Sequence, residues 1–173
     1  ATADRPESQE ICFIPGNDYK RFLAERVAGD EIKPGVFLNT KGEVIGRHRG
    51  LPYYTVGQRK GLGLALGYPA YVVALNPADN SVIIGTEEEI YQKGLWASDN
   101  NFIAVDKLLG PMEVEAKVRY GAKPAPAVIT PGNNGRIKVL FMEPQQSITP
   151  GQSVVYYQDD LVVGGGIIET AIP

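Results

Sequence analysis

One segment near the N-terminus has the periodicity of an amphipathic helix. Apolar side chains recur every three or four residues between Asn17 and Gly29, and this spacing places them on one face of a helix. Asn17 or Asp18 can cap the first turn, and Gly29 is placed to end the last one. The pattern therefore predicts one helix over residues 17–29.

After Gly29 the hydrophobic pattern changes to that of short β-strands. Apolar runs of a few residues alternate with clusters of Gly, Pro, Asn and Asp, which is typical of strands joined by tight turns. In one such turn, Asn134-Gly135 suits a backbone that needs positive φ. Three pairs of runs predict hairpins, namely residues 35–40 with 43–46, 70–75 with 81–85, and 127–129 with 136–141.

Further segments extend the β pattern towards the C-terminus. Residues 112–120 alternate between apolar and polar side chains, and short apolar runs follow at 153–157, 161–163 and 167–170. Many closely spaced short strands with frequent Gly and Pro favour a small antiparallel barrel. We therefore expect a mainly β fold, in which a small β-rich domain with one helix is followed by an antiparallel β-barrel domain.

A domain boundary is predicted where the pattern of strands and charges breaks. The break falls between Glu87 and Asn101, and β structure is expected to resume near Phe102. The chain then divides into a lead-in segment at residues 1–16 that carries the single cysteine, a central β-rich domain at residues 17–92, and a C-terminal antiparallel barrel at residues 93–173.

The distribution of charge indicates a local basic surface. The net charge of −3 argues against the uniformly basic surface of many nucleic-acid binders. Residues 41–60 differ from this average, because Glu43 is the single carboxylate among five cations. His48 is expected to be part of the same basic face, which could meet phosphate groups. The cations are Lys41, Arg47, Arg49, Arg59 and Lys60.

The counts of cysteine and histidine exclude several kinds of site. A single cysteine excludes an intrachain disulfide, and with a single histidine it leaves no ligand set for a metal cluster, so no metal is expected. No apolar run approaches the roughly 18 residues that a membrane-spanning helix needs. The N-terminus lacks a signal-peptide pattern. These features predict a cytoplasmic protein without membrane contact.

Cys12 has two interpretations on local grounds. It can be a small hydrophobe buried in a short strand, which its apolar neighbours favour. It can instead be a thiol for sulfur transfer or nucleophilic attack, although no cation stands beside it to favour the thiolate. Composition does not decide between the two.

Three other segments could bind a ligand or shape the fold. The loop from Gly57 to Gly63 combines glycines with two cations, which suits an anion, but it lacks the Gly-Lys-Ser/Thr ending of a nucleotide-phosphate loop. A solvent-facing structural loop is its alternative. Arg119-Tyr120 suits phosphate contact and base stacking, or else simply the rim of the core. Gly164-Gly165-Gly166 favours a bulge or barrel corner over a ligand cradle.

Taken in order, these segments resemble one family. Their succession is similar to the C-terminal half of bacterial tRNA-specific 2-thiouridylases, and the resemblance covers essentially the whole chain. Each segment alone would be a weak signal, whereas the ordered set is specific. The segments are Ser8 to Ile14 around Cys12, Gly57 to Gly63, Arg119-Tyr120, Glu143 to Gln152, and Gly164 to Ile168.

The resemblance implies a tRNA-uridine 2-sulfurtransferase. Such enzymes use ATP to adenylate the C2 oxygen of the wobble uridine in certain tRNAs, and a cysteine persulfide then delivers sulfur to give 2-thiouridine. By motif, Cys12 matches the catalytic cysteine that carries the persulfide. Arg119, Tyr120 and Gln152 match tRNA contacts, and the segment with Arg59 and Lys60 lies in the family's central domain, which helps to hold the RNA.

The resemblance also implies the partners of this chain. They are the tRNA anticodon region and a sulfur donor from a cysteine desulfurase relay, with no role for DNA. ATP is expected to bind an N-terminal pyrophosphate-loop domain that this sequence does not contain, as it does not contain the second cysteine of the catalytic pair. The chain alone is therefore expected to be limited to tRNA binding, with no cofactor of its own.

Two other functions are considered. A non-catalytic RNA-binding β-barrel module, in which Cys12 is inert, is the main alternative. A methyltransferase is disfavoured, because the sequence shows no glycine-rich strand–turn–helix unit for S-adenosylmethionine.

Overall fold

The described part of the chain forms two β-sheets joined by a short linker at residues 86–90. The computed structural model describes residues 21–22 and 32–173. The predicted helix lies outside the described residues except for Arg21 and Phe22, which are helical. Within the described ranges, no helix is long and apolar enough to cross a membrane.

The first sheet has four strands in the order β2-β1-β4-β3. Both predicted hairpins, β1–β2 and β3–β4, are confirmed as antiparallel pairs. A parallel pairing of β1 with β4 joins the hairpins into one sheet, which the sequence pattern did not indicate. The strands are β1 (Gly35–Asn39), β2 (Val44–His48), β3 (Tyr71–Asn76) and β4 (Ser81–Gly85).

One face of this sheet is covered by its own long connection. Phe37, Val72 and Ile84 are buried strand residues, and they pack with Tyr54 and Leu62 from the segment between β2 and β3. The basic loop that contains Arg59 is therefore anchored on both sides by apolar burial.

The second sheet is a closed barrel of six strands in the order β10-β5-β8-β7-β6-β9. Every neighbouring pair around the barrel is antiparallel. The prediction of a mainly β fold with an antiparallel barrel is confirmed. The strands are β5 (Tyr91–Phe102), β6 (Met112–Lys117), β7 (Ala125–Pro131), β8 (Ile137–Gln146), β9 (Ser153–Gln158) and β10 (Leu161–Ile172).

Strand β6 shows why the barrel could be predicted. Val114 and Ala116 are buried, whereas Glu113 and Glu115 are exposed, because successive side chains of a strand point to opposite faces. The strand ends at Lys117, earlier than the predicted stretch of alternation.

The expectation that β structure resumes only near Phe102 is wrong. Strand β5 begins at Tyr91 and runs for 12 residues without interruption. Its pairing with β8 shifts register between Gln92 and Gly94, and Asp99 has a φ of 47°. Such bulges insert extra residues into a strand and break the two-residue period by which strands are recognised.

The three glycines at 164–166 lie inside one strand. Strand β10 runs through both of the short apolar runs that the sequence separated. Its register shifts between Val162 and Gly164 against β9, and between Gly165 and Ile167 against β5. The prediction of a bulge is confirmed.

The assignment of His48 to the basic face is wrong. The side chain is 3% exposed, and its Nδ1 atom accepts a hydrogen bond from the Gly50 N–H at 3.0 Å. Its Nε2 atom lies 3.1 Å from the Asn80 carbonyl oxygen and therefore carries the proton that it donates there. Arg47 is exposed, because successive residues of a strand point to opposite faces. Arg49 lies one residue beyond the strand and is also exposed.

Glu89 in the linker provides a pH-dependent contribution to stability. The Thr86 N–H donates to its carboxylate at 2.8 Å. This bond, with a further hydrogen bond from Thr40 on the β1–β2 turn, lowers the pKa of Glu89. A lowered folded-state pKa means that the stabilisation is present above the unfolded-state value and is lost as the pH falls through the folded-state value.

We expect Glu89→Gln to lower the free energy of unfolding near neutral pH by about 1 kcal/mol, because charged hydrogen bonds are lost from a partly exposed site. The difference from the wild-type chain should shrink as the pH falls below about 4. Urea denaturation between pH 7 and 3 measures this, with Glu88→Gln as the control for removing one charge at an exposed neighbour. A Glu89→Gln difference that stays constant over this pH range contradicts the assignment.

Candidate functional site

Two connections that carry predicted tRNA contacts lie at the same end of the barrel. Because all neighbouring strands of the barrel are antiparallel, the β6–β7 connection and the β8–β9 connection both lie at the end where β5 begins. Arg119 and Tyr120 belong to the first connection, and Gln152 belongs to the second. We name this end, formed by residues 86–90, 118–124 and 147–152, the linker end.

The register of β6 and β9 brings these two connections together. Lys117 pairs with Val155, so that continuing the antiparallel register places Arg119 level with the first residue of β9. Gln152 immediately precedes that residue, and its N–H donates to the Thr149 carbonyl at 3.2 Å. Barrel closure thus places Arg119 and Gln152, which are far apart in the sequence, at the same level of the linker end.

The basic loop of the first sheet reaches the same end. Gly57 approaches Ser147 so closely that a Cβ atom on Gly57 would lie 2.2 Å from the serine Oγ, and its φ of +85° also favours glycine. The Gly57 N–H donates to the Val72 carbonyl at 2.8 Å, and the Ser147 N–H donates to the Ile90 carbonyl at 2.9 Å. Arg59, two residues beyond Gly57, therefore extends the linker end.

Hydrogen bonds within the basic loop restrict its conformation. The Gln58 side chain accepts from the Thr55 N–H and donates to the Lys60 carbonyl, both at 3.0 Å. The Gln58 carbonyl also accepts from the Val72 N–H at 2.9 Å. The loop that presents Arg59 is thus ordered before any ligand binds.

The cations at the linker end are available to an anion. Arg59, Lys60 and Arg119 are exposed, and among the described residues none of them forms an ion pair with a carboxylate. The Arg59 guanidinium lies 5.9 Å from the Tyr71 ring centre. The Lys117 ammonium lies 5.1 Å from the centre of the Tyr120 ring. Each of these two cations therefore lies within cation–π distance of an aromatic ring.

A pocket of about 350 Å³ opens at the linker end. Sequence reasoning found Arg119 but missed the other polar residues of the pocket wall, although Gln145 and Gln146 lie within the Glu143–Gln152 segment that supported the family resemblance. The polar lining residues are Tyr91, Arg119, Lys123, Gln145 and Gln146.

No group of His, Cys, Asp or Glu within the described residues is arranged to hold a metal ion. Burial raises the pKa of Tyr156, whose hydroxyl donates to Asn100 Oδ1 at 3.0 Å inside the barrel. Cys12, the predicted catalytic residue, lies outside the described residues.

Two family models match consecutive parts of the chain. One is described as a tRNA methyl transferase PRC-barrel domain and matches residues 20–86. The other is described as an aminomethyltransferase beta-barrel domain and matches residues 92–168. These matches include the basic loop, the Arg119-Tyr120 connection and the β8–β9 connection.

Curated relatives match almost the whole chain. The tRNA-specific 2-thiouridylase of Clostridium perfringens is 55% identical over 98% of this chain and 47% of its own length. The corresponding proteins of Acetivibrio thermocellus and Carboxydothermus hydrogenoformans are each 56% identical, over 96% and 97% of this chain and 46% of their own lengths. The chain spans about half the length of these relatives. It belongs to the tRNA-specific 2-thiouridylase family and corresponds to the C-terminal part of its members.

Proposed function

We propose that this chain is the tRNA-holding part of an enzyme that converts a uridine of tRNA to 2-thiouridine. One observation carries the proposal. Three separate segments meet at the linker end, brought together by closure of the barrel and by docking of the basic loop. They carry Arg59 with Lys60, Arg119 with Tyr120, and Gln152. The names of the relatives supply the substrate class, since they are thiouridylases specific for tRNA.

The chemistry of this surface suits an RNA loop. Most contacts between proteins and nucleic acids are made to phosphate and sugar, and Arg59, Lys60 and Arg119 can make them. Single-stranded RNA loops also offer unstacked bases to aromatic side chains, and Tyr120 is 67% exposed. The hydrogen-bonded basic loop adds pre-organisation, which reduces the entropy lost when the RNA binds.

We assign Cys12 the role of persulfide carrier in the complete reaction, because the segment around it matches the family motif. ATP is a substrate of that reaction: it adenylates the uridine C2 oxygen with release of pyrophosphate, and AMP leaves when the outer persulfide sulfur attacks C2. The thiolate of a second cysteine then cleaves the S–S bond to Cys12, so that 2-thiouridine is released and the two cysteines form a disulfide. The described residues do not provide a Gly-Lys-Ser/Thr phosphate loop, so we assign them no step of ATP use. Their part is to bind the RNA and hold its loop in place.

The partners and location of the enzyme are also part of the proposal. We assign the anticodon region of tRNA as the bound segment and a cysteine desulfurase relay as the source of sulfur, in the cytoplasm. The motif match around Cys12 supports the sulfur donor, and the basic linker end supports the RNA partner.

We expect Arg119→Ala and Arg59→Ala each to raise the Kd for a cognate anticodon stem-loop by about 5- to 10-fold at low salt, because each removes one phosphate contact. Titration of a fluorescently labelled stem-loop measures the effect. Lys107→Ala is the matched control, since Lys107 is exposed and lies on the β5–β6 connection at the opposite end of the barrel. Equal effects of all three substitutions would show that the linker end is not the RNA-binding face.

A further inference from the structure

The pocket at the linker end lies beside the residues that we assign to RNA contact. It opens between the β6–β7 connection and the end of β8, and its volume is about 350 Å³. Gln145 and Gln146 belong to the segment from Glu143 to Gln152 that carries the family resemblance, yet in that segment only Gln152 has an assigned contact.

The charged residues of the pocket favour an anionic ligand. Arg119 and Lys123 line it, and no Asp or Glu is among its lining residues within the described chain. Both cations are exposed. One side of the pocket can therefore hold a phosphate group, whereas its positive charges repel a cationic ligand.

The amides of the pocket are held in place by the protein. The Gln145 side chain donates through Nε2 to the Glu143 carbonyl at 2.9 Å. The Gln146 side chain donates through Nε2 to the Tyr91 hydroxyl. Gln146 on β8 and Tyr91 on β5 are partners in the pairing of these two strands. One N–H of each Nε2 group is engaged, so the protein orients both amides, and their oxygens can accept from N–H groups of a ligand.

The rest of the wall is apolar and stiff. Val118 is buried at the barrel mouth, and Pro124 and Pro144 line the sides of the pocket. Proline has a fixed φ and presents a flat ring, so these walls change little when a ligand enters. Apolar walls can hold the faces of a nucleotide base, amide acceptors can bind its polar edge, and cations can bind its phosphate.

We propose that this pocket holds one unpaired nucleotide of the bound tRNA, with its base turned out of the loop. The amide oxygens of Gln145 and Gln146 accept from N–H groups on the edge of the base, and Arg119 and Lys123 hold its phosphate. The pocket volume lies at the lower end of the range for small-ligand sites, about 300–1,000 Å³, which fits a single nucleotide. The inference rests on the proposed function, because the RNA must first dock on the linker end.

A scan of the loop tests the proposal. Anticodon stem-loops that carry 2-aminopurine at one loop position at a time are titrated with the 173-residue chain, and fluorescence reports unstacking of each base. We expect one loop position to brighten on binding. At that position an abasic substitution should raise the Kd by about 5- to 30-fold, because the stacking and hydrogen bonds of one base are lost.

A double-mutant cycle then assigns that position to the pocket. Gln145→Leu should raise the Kd for the intact loop by about 5- to 10-fold and leave the Kd for the abasic loop unchanged. Gln145→Asn, which keeps the amide but shortens the side chain, provides a second variant if the leucine substitution impairs folding. Lys107→Ala should show no coupling to any loop position.

The outcomes separate this inference from the proposed function. If Arg119→Ala weakens every loop while Gln145→Leu and Gln145→Asn couple to none, RNA binding stands and the nucleotide pocket is wrong. If Arg119→Ala has no effect on any loop, the proposed function itself fails. Displacement of the loop base by millimolar UMP, CMP, AMP or GMP would assign the pocket to a free nucleotide and overturn the proposal, which predicts no displacement.

Discussion

Replacing Tyr156 with alanine should destabilise the barrel by about 4 kcal/mol, the range for deleting a large aromatic side chain from a core. Tyr156 is fully buried and is the largest such side chain among the described residues. It pairs with Ala116 on β6 and with Gly164 on β10, and its ring stacks against Phe102 with centres 6.2 Å apart. Alanine would leave a cavity between three strands. Since small domains are stable by about 5–15 kcal/mol, this loss is a large fraction of the total.

The conservative variant Tyr156→Phe separates the hydrogen bond from the packing. It should cost about 1–2 kcal/mol, because Asn100 Oδ1 loses its donor inside the barrel. Burial raises the pKa of Tyr156, so the folded state keeps the phenol proton longer than the unfolded state. The free energy of unfolding of the wild-type chain should therefore fall as the pH rises above about 10, and that of the phenylalanine variant should fall less steeply. Equal urea midpoints for wild type and both variants would show that Tyr156 is not a core residue.

Gly164→Ala should destabilise the chain by about 3 kcal/mol, through overpacking between neighbouring strands. A Cβ atom at this position would lie 2.5 Å from the Asn101 carbonyl oxygen and 3.0 Å from the Cα and Cδ1 atoms of Phe102. Two of these three atoms are backbone, so a change of side-chain rotamer cannot relieve the clash. Gly164 thus allows β5 and β10 to approach where Phe102 stacks on Tyr156.

The matched control is Gly110→Ala on the β5–β6 connection. Beyond its two chain neighbours, no atom lies within 4 Å of the position that a Cβ on Gly110 would take, so the free energy of unfolding of this variant should change by no more than about 0.5 kcal/mol. Urea denaturation of both variants gives the comparison through the transition midpoint at constant slope. Similar losses in the two variants would mean that the close approach at Gly164 is not what requires a glycine.

Local patterns explain which parts of the fold could be predicted. The alternation at Val114 and Ala116 identifies β6 because barrel strands bury one face. The Asn134-Gly135 pair identifies the β7–β8 hairpin because both residues adopt positive φ, at 57° and 73°. The β1–β4 pairing leaves no such local signal, since it depends on contacts between segments about 45 residues apart.

Bulges and an unrecognised strand face explain the two wrong predictions, at β5 and at His48. Strand β5 was missed before Phe102 because its bulges break the alternation that defines a strand. The sequence neighbours of His48 alone indicate that it belongs to the basic face. A strand places it on the opposite face, so the correct inference needed the bounds of β2.

The candidate site was predicted only in part, for a related reason. Arg119-Tyr120 and Arg59 could be found because cations beside aromatic residues or glycines stand out in a sequence. Their convergence could not be found, since it follows from closure of the barrel and from the contact between Gly57 and Ser147. Tyr91 likewise gives no local indication that it belongs to a pocket.

We propose above all that the linker end binds RNA through Arg59, Lys60 and Arg119. The most direct test is the salt dependence of stem-loop affinity for the wild-type chain and for a variant with alanine at these three positions. Each lost phosphate contact lowers the magnitude of the slope of log K, where K is the association constant, against log salt concentration by roughly 0.7 for a single strand. We predict a slope shallower by about 2 in this variant and unchanged in Lys107→Ala. Parallel slopes for wild type and the triple variant, with both proteins folded, would contradict the proposal.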